Sequence, residues 1–172
     1  MDFIDLSAQQ EKIRPKIQSR VKKVLEHGKY IMGPEVHELE TELSRYVGMN
    51  HCITCSSGTD ALLMPLMMLD IKPGDAVLTT PFTYIATAEV IALLGATPVF
   101  VDIYPSTFNI DPDKIDDAIN YAKYHNLKPR AIIPVDLFGL PARYRIIKEK
   151  AKKNNLIIIE DAAQGFGGRI NN

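Results

Sequence analysis

The sequence predicts an α/β fold in which a mainly parallel sheet carries helices on both faces. Two observations lead to this prediction. From residue 51 onward, strand patterns and helix patterns alternate along the chain. The strand segments are continuous apolar runs such as residues 156–159, which are typical of strands buried on both sides. The 172 residues are 46% hydrophobic and 24% charged, a composition close to the globular average that excludes a disordered chain.

Two amphipathic helices are predicted before the alternation begins. Over residues 10–27, apolar side chains recur at spacings of three and four, which is the period of one helix face. Residues 28–33 interrupt this pattern. The second helix begins at Pro34, with Glu35 in its first turn, and Gly48 ends it.

Strands and helices then follow one another to the end of the chain. The helix nearest the start of this region is apolar almost all round, so we expect it to be buried. The predicted strands are His51–Cys55, Ala76–Thr80, Pro98–Ile103, Ala131–Leu137 and Leu156–Glu160, and the predicted helices are Thr59–Leu69, Thr83–Leu94, Pro112–Tyr124 and Arg143–Asn154.

Charge and composition exclude several classes of function. The net charge of −1 argues against a nucleic-acid partner, which would require a basic face. No apolar run approaches the roughly 20 residues that span a bilayer, so no membrane association is expected. An acidic start without a signal peptide, together with only two cysteines, predicts a cytoplasmic protein. The histidines are scattered and Cys52 and Cys55 share a predicted strand, so no metal site is expected.

The first candidate site follows the first predicted strand. Ser57, Gly58 and Thr59 are small or hydroxylated residues at the start of a helix, where free N–H groups and the helix dipole favour an anion such as phosphate. A simple Ser/Thr helix cap is the alternative interpretation. Because the Asp60 carboxylate would repel phosphate, we expect any contact with Asp60 to come from its backbone N–H.

Two further candidates follow later strands. An aromatic side chain just after a strand end can stack on a planar ligand, although core packing is the alternative for Phe82. Glu160 and Asp161 follow the last apolar strand, and alternation along a strand directs one of them to the ligand crevice. A buried carboxylate there needs a cationic or hydrogen-bonding partner, and a protonated ring nitrogen would serve. The alternative is a pair of solvated acids.

Together, these segments resemble the sugar aminotransferases of the DegT/DnrJ/EryC1/StrS family. The segments that carry the resemblance are residues 28–36, 57–62, 83–88, 95–102 and 160–164. The resemblance implies an incomplete fold-type-I aminotransferase large domain. Residues 1–172 would form the N-terminal part of this domain, which binds pyridoxal 5'-phosphate (PLP), and the C-terminal part and the small domain would lie beyond the chain.

The resemblance also implies cofactor-binding roles. Thr59 and Asp60 match the positions that hold the PLP phosphate, partly through backbone N–H groups, and Gly58 shapes the turn. Tyr84 matches the residue that stacks on the pyridine ring. Asp161 matches the carboxylate that pairs with the pyridine nitrogen and keeps it protonated, so that the ring acts as an electron sink.

Other positions are carried over from the same resemblance. Gln164 matches the position beside the ring hydroxyl of PLP. Tyr30, Met32 and Gly33 lie in a loop that matches one near the sugar substrate. Asp136 is a departure, because relatives more often have Ser or His there.

The implied reaction is transfer of an amino group, from glutamate, to a keto group on a nucleotide-linked sugar. The residues of these segments are most similar to those of enzymes that act on 3-keto UDP-N-acetyl sugar uronic acids. The resemblance also implies a homodimer for the full-length protein.

The catalytic Schiff-base lysine of the family is expected in a Ser-Phe-x-x-x-Lys segment beyond Asn172, and no lysine in this chain matches it. The isolated chain is therefore expected to be inactive. The alternatives are a non-catalytic module that binds phosphate or PLP, and a partner subunit of a full-length relative.

Overall fold

A computed structural model describes residues 4–170 of the chain. The chain forms two compact units, the first ending at Thr54 and the second beginning at Cys55. The first unit contains helices α1 (Leu6–His27) and α2 (Pro34–Val47). Within the described residues, no helix is long and apolar enough to cross a membrane.

Local sequence signals set the ends of α1 and α2. The Asp5 carboxylate accepts a hydrogen bond from the backbone N–H of Ala8 at 2.9 Å and so caps the start of α1. The helix ends at Gly28, which has a left-handed φ of 66° that glycine adopts without strain. The helix α2 begins at Pro34 and is followed by Gly48, as predicted.

The second unit alternates helices with parallel strands. Its elements are α3 (Gly58–Met68), β1 (Asp75–Thr79), α4 (Ala86–Leu93), β2 (Thr97–Phe100), a 3₁₀ turn (Pro112–Lys114), α5 (Ile115–Tyr124), β3 (Lys128–Ile133), a second 3₁₀ turn (Leu137–Gly139), α6 (Tyr144–Lys153) and β4 (Ile157–Ile158). The strand order is β2-β1-β3-β4, and all three pairings are parallel. The prediction of a mainly parallel sheet is therefore confirmed.

Helices cover both faces of this sheet because successive side chains along a strand point to opposite faces. Leu78 and Ile132 belong to a buried cluster that includes Ile119 of α5 and Ile147 of α6. The neighbouring strand residues belong to a second cluster with α3 and α4, which comprises Leu62, Leu66, Ile71, Val77, Val90, Ile91, Ala96, Ala131 and Ile133. Each fully buried aliphatic side chain stabilises the fold by roughly 1.5–3 kcal/mol.

The predicted strand His51–Cys55 is not a strand in the structure. A strand exists only where a neighbouring strand completes its hydrogen-bond ladder. Here the backbone N–H and the hydroxyl of Thr54 instead donate to the Glu40 carboxylate, at 3.0 and 2.9 Å. These bonds hold the pKa of the Glu40 carboxyl below its usual value. The segment is thus anchored by a side chain of α2.

Candidate functional site

The candidate site lies at the carboxyl edge of the sheet, where β3 and β4 both end. Beyond the two strands, Val135 and Asp161 form an isolated parallel bridge. The backbone N–H of Asp161 donates to the carbonyl of Pro134, and the N–H of Asp136 donates to the carbonyl of Asp161, both at 3.0 Å. The backbone of Asp161 is therefore fixed from both sides by the chain that follows β3.

The side chain of Asp161 is buried, with 7% of its surface exposed. Its carboxylate accepts the hydroxyl of Thr87 at 2.8 Å and the backbone N–H of Ala163 at 3.2 Å. Both donors are neutral, and within residues 4–170 no ion pair includes Asp161. A buried carboxylate that lacks a cation has a strong tendency to bind one. The chain thus holds Asp161 in place without neutralising its charge.

Thr87 is a site residue that the sequence interpretation missed. It lies in the first turn of α4 and is fully buried, and its hydroxyl also lies 3.2 Å from that of Thr83. A sequence signal for this role exists, because Thr87 is a hydroxyl residue on the otherwise apolar buried face of α4. A buried hydroxyl requires a hydrogen-bond partner. Tyr84, which follows Thr83, is 72% exposed, so its ring is accessible for stacking on a ligand.

The start of α3 shows a helix cap. The Ser57 hydroxyl oxygen accepts the backbone N–H of Asp60 at 3.1 Å, which is the arrangement that the alternative interpretation expects. The Asp60 carboxylate turns back to accept the hydroxyls of Ser56 and Ser57, and these bonds lower the pKa of the Asp60 carboxyl. The N–H groups of Gly58 and Thr59 also belong to the first turn, where amides lack partners within the helix.

Gln164 follows Asp161 in the turn beyond β4. Its side chain is exposed, and its carbonyl oxygen Oε1 accepts the backbone N–H of Phe138 at 2.6 Å. Phe138 lies in the loop after β3 and has a left-handed φ of 55°. The structure therefore connects Gln164 to the loop that contains Asp136, although the two segments are more than 20 residues apart in sequence.

Asp136, which is buried, lies beside the exposed residue Glu160. Its carboxylate is 2% exposed and accepts the backbone N–H of Ala142 at 3.0 Å and the Tyr144 hydroxyl at 2.8 Å. Burial and the hydrogen bond with Asp136 raise the pKa of the Glu160 carboxyl. Burial and Asp136 also raise the pKa of the Tyr144 hydroxyl. Asp136 therefore forms hydrogen bonds with Ala142 and Tyr144 that the sequence did not predict.

The predicted substrate loop lies in the first unit. The side chains of Tyr30 and Met32 are exposed, and Met32 has a left-handed φ of 48°. Gly33 is buried, and a Cβ added to it would collide with the carbonyl oxygen of Lys29, so this position requires glycine. The role of these residues toward a substrate remains a prediction.

The sequence profile of the DegT/DnrJ/EryC1/StrS aminotransferase family matches residues 11–172. The chain belongs to this family. It is 50% identical over 167 residues to a UDP-2-acetamido-2-deoxy-3-oxo-D-glucuronate aminotransferase of Pseudomonas aeruginosa. That alignment covers 97% of this chain and 45% of the relative. Membership of the family, which the sequence segments predicted, is thus confirmed.

Solved structures of family members share the fold. A DegT/DnrJ/EryC1/StrS aminotransferase from Brucella abortus matches with a TM-score of 0.92 and 51% identity, covering 95% of this chain and 44% of the other. NtdA from Bacillus subtilis, solved with bound cofactor PMP, matches with a TM-score of 0.84 and 36% identity, covering 91% of this chain and 34% of the other. The chain spans less than half the length of each of these proteins. The fold-type-I architecture is confirmed, and PLP chemistry is confirmed at the level of the family.

Proposed function

We propose that this chain forms the N-terminal part of the PLP-binding large domain of an aminotransferase. The observation that carries the proposal is the buried Asp161 carboxylate at the carboxyl edge of the sheet, held by neutral donors alone. A protonated pyridine nitrogen supplies both the positive charge and the N–H that such a carboxylate lacks. When bound, PLP supplies a ring that accepts electrons during amino transfer.

The small residues after Asp161, the Tyr84 ring and the start of α3 would together fit a flat, phosphorylated ring. Ala162 and Ala163, which follow Asp161, are small and leave room beside it. The exposed ring of Tyr84 is available for stacking. Gly58 has nothing within 4 Å of the position that a Cβ would occupy, so the start of α3 is open. We propose that the backbone N–H groups of Gly58, Thr59 and Asp60 bind the phosphate at this start, and that Gln164 lies beside the ring hydroxyl.

The chain's own groups would bind and orient the cofactor. Thr87 donates to Asp161 and keeps its carboxylate fixed, so that this carboxylate holds a proton on the ring nitrogen. The helix dipole of α3 stabilises the phosphate charge. We further propose that the Asp60 N–H, which donates to the Ser57 hydroxyl in this structure, exchanges that partner for the phosphate, while the Asp60 carboxylate stays bonded to Ser56.

For the substrate, we propose a keto sugar linked to a nucleotide, with glutamate as the amino donor. The 50% identity to an aminotransferase named for a UDP-linked 3-oxo sugar uronate supports this class. The loop with Tyr30, Met32 and Gly33 would contact the sugar. The proposed setting is synthesis of cell-surface polysaccharide or secondary-metabolite sugars by a cytoplasmic homodimer of the full-length protein, without a nucleic-acid, membrane or metal partner.

The decisive test measures non-covalent binding of pyridoxamine 5'-phosphate, which has no aldehyde and so needs no lysine. We expect the chain to bind it, and we expect Asp161→Asn to weaken binding at least about tenfold, because the charge pair with the ring nitrogen is lost. The matched control is Asp102→Asn, an exposed acid just beyond β2, which should leave the affinity unchanged. Isothermal calorimetry gives the affinities.

The same titration separates the proposal from a simple phosphate-binding module. Such a module would bind inorganic phosphate as tightly as pyridoxamine 5'-phosphate, and Asp161→Asn would have no effect; that result would contradict the proposal. We also expect no amino transfer by the 172-residue chain alone, measured as 2-oxoglutarate formed from glutamate, because no lysine in it matches the catalytic lysine of the family.

A further inference from the structure

Asn109 is a buried residue that the proposed function does not yet use. It precedes the first 3₁₀ turn and is 4% exposed. Its Oδ1 accepts the backbone N–H of Leu137 at 3.1 Å, and its Nδ2 donates to the carbonyl of Leu140 at 2.8 Å. Both polar ends of this side chain are therefore used to hold residues 136–142, which we call the β3 loop.

Asp136 fixes the β3 loop from its other side. Its carboxylate accepts the N–H of Ala142 at 3.0 Å, and its carbonyl accepts the N–H of Gly139 at 3.1 Å. Between these anchors, Phe138 takes its left-handed φ of 55° and Gly139 a φ of 83°. A non-glycine residue holds a left-handed conformation only where its surroundings determine it. The anchors thus set the direction of the Phe138 N–H.

The Phe138 N–H determines how the Gln164 amide is turned. The hydrogen bond of 2.6 Å ends on Oε1, and a backbone N–H requires an acceptor at that point, so the amide oxygen must face the β3 loop. The amino group Nε2 then points away from the loop. The side chain is exposed, and within residues 4–170 no hydrogen bond uses Nε2. Gln164 therefore offers two N–H donors from a fixed amide plane.

We propose that Asn109 is a positioning residue which, through the β3 loop and the Phe138 N–H, presents the Gln164 amino group to the ring oxygen of the bound cofactor. This inference rests on the proposed function. A hydrogen bond from one N–H of the Gln164 amino group favours the ionised form of that oxygen, so the ring hydroxyl loses its proton at a lower pH in the bound state. Asn109 acts on the ligand without touching it.

The test follows the ultraviolet absorbance of bound pyridoxamine 5'-phosphate against pH. We expect Gln164→Ala to raise the midpoint of the ring hydroxyl transition by about one pH unit, as expected for loss of a hydrogen bond to an anion. Asn109→Ala should produce at least half of that shift. Asn120→Ala, an exposed asparagine on α5, is the matched control and should leave the midpoint unchanged. A residue that merely stabilises the fold would alter affinity or melting temperature without moving the midpoint.

A second measurement needs neither the cofactor nor an Asn109 variant. Hydrogen exchange of the Phe138 amide should be slow in the wild type and in Gln164→Glu, which keeps the acceptor, and faster in Gln164→Ala. Equal exchange in all three proteins would overturn the inference, as would an Asn109→Ala midpoint equal to wild type. If pyridoxamine 5'-phosphate binds none of the proteins, the proposed function fails, while the exchange experiment still decides whether the β3 loop holds Gln164.

Discussion

Each edge of the sheet contains a buried aspartate, but among the residues that the structure describes only the aspartate at the amino edge forms an ion pair. At the amino edge, Asp75 begins β1 and is 4% exposed. Its carboxylate is paired with the guanidinium of Arg130 at 3.1 Å and also accepts the backbone N–H of Lys72 at 3.2 Å. At the carboxyl edge, Asp161 is buried to a similar degree, but its donors are a hydroxyl and an amide.

This difference separates a stabilising pair from a binding site. Burying a charge is costly unless a partner compensates it. At the amino edge the chain supplies the compensating cation, and Arg130 is itself held by the carbonyl of Leu69 at 2.9 Å. At the carboxyl edge the chain supplies hydrogen bonds that orient Asp161 but leaves its charge uncompensated. Incomplete compensation of this kind is a property of functional sites.

The largest effect should come from breaking the pair at the amino edge. Arg130→Met leaves the Asp75 carboxylate buried without its cation, and the expected loss is about 3–5 kcal/mol of the free energy of unfolding. Urea unfolding followed by circular dichroism measures it. The double variant Asp75→Leu with Arg130→Met should recover part of the loss, because no unpaired charge remains. A loss below about 1 kcal/mol in the single variant would mean that the pair behaves like a surface ion pair.

Asp161→Asn should have a much smaller effect on stability. The asparagine carbonyl can accept the Ala163 N–H, and its amino group can donate to the Thr87 hydroxyl, so the hydrogen bonds survive while the uncompensated charge is removed. We expect the free energy of unfolding to change by less than about 1 kcal/mol. The same urea experiment, without cofactor, measures this change. A large loss would show that the Asp161 charge stabilises the fold, which would remove the distinction between the two edges.

The sequence was sufficient for the order of elements but not for the long-range contacts of the site. Apolar runs and helix periods predicted the parallel sheet and both helix layers, since these patterns depend on neighbouring residues. The prediction of a strand at residues 51–55 was wrong because a strand requires a neighbouring strand that completes its hydrogen bonds. Two hydrogen bonds of the site, from Phe138 to Gln164 and from Thr87 to Asp161, also join distant segments of the chain. No local sequence pattern predicts such contacts. The resemblance to the family singled out Asp161, but it did not predict the residues that donate hydrogen bonds to its carboxylate, Thr87 and Ala163.

The smallest predicted effect concerns Glu160, whose carboxyl has a pKa raised by burial and by Asp136 and lowered in part by Lys148. In the folded state this carboxyl keeps a proton that the unfolded chain releases near the ordinary value of 4.5. The free energy of unfolding therefore falls as the pH rises from 4.5 through the raised pKa.

Glu160→Gln should remove this dependence, because its amide donates to Asp136 at every pH. We expect the variant to be more stable than wild type at pH 7 by less than about 1 kcal/mol, after allowing for solvent screening at an exposed side chain. Thermal unfolding between pH 4.5 and 8 measures the slope, with Glu149→Gln on the exposed face of α6 as the control. If wild type and Glu160→Gln show parallel pH profiles, the two acids share no proton, and the carboxyl edge holds Glu160 only as a solvated charge.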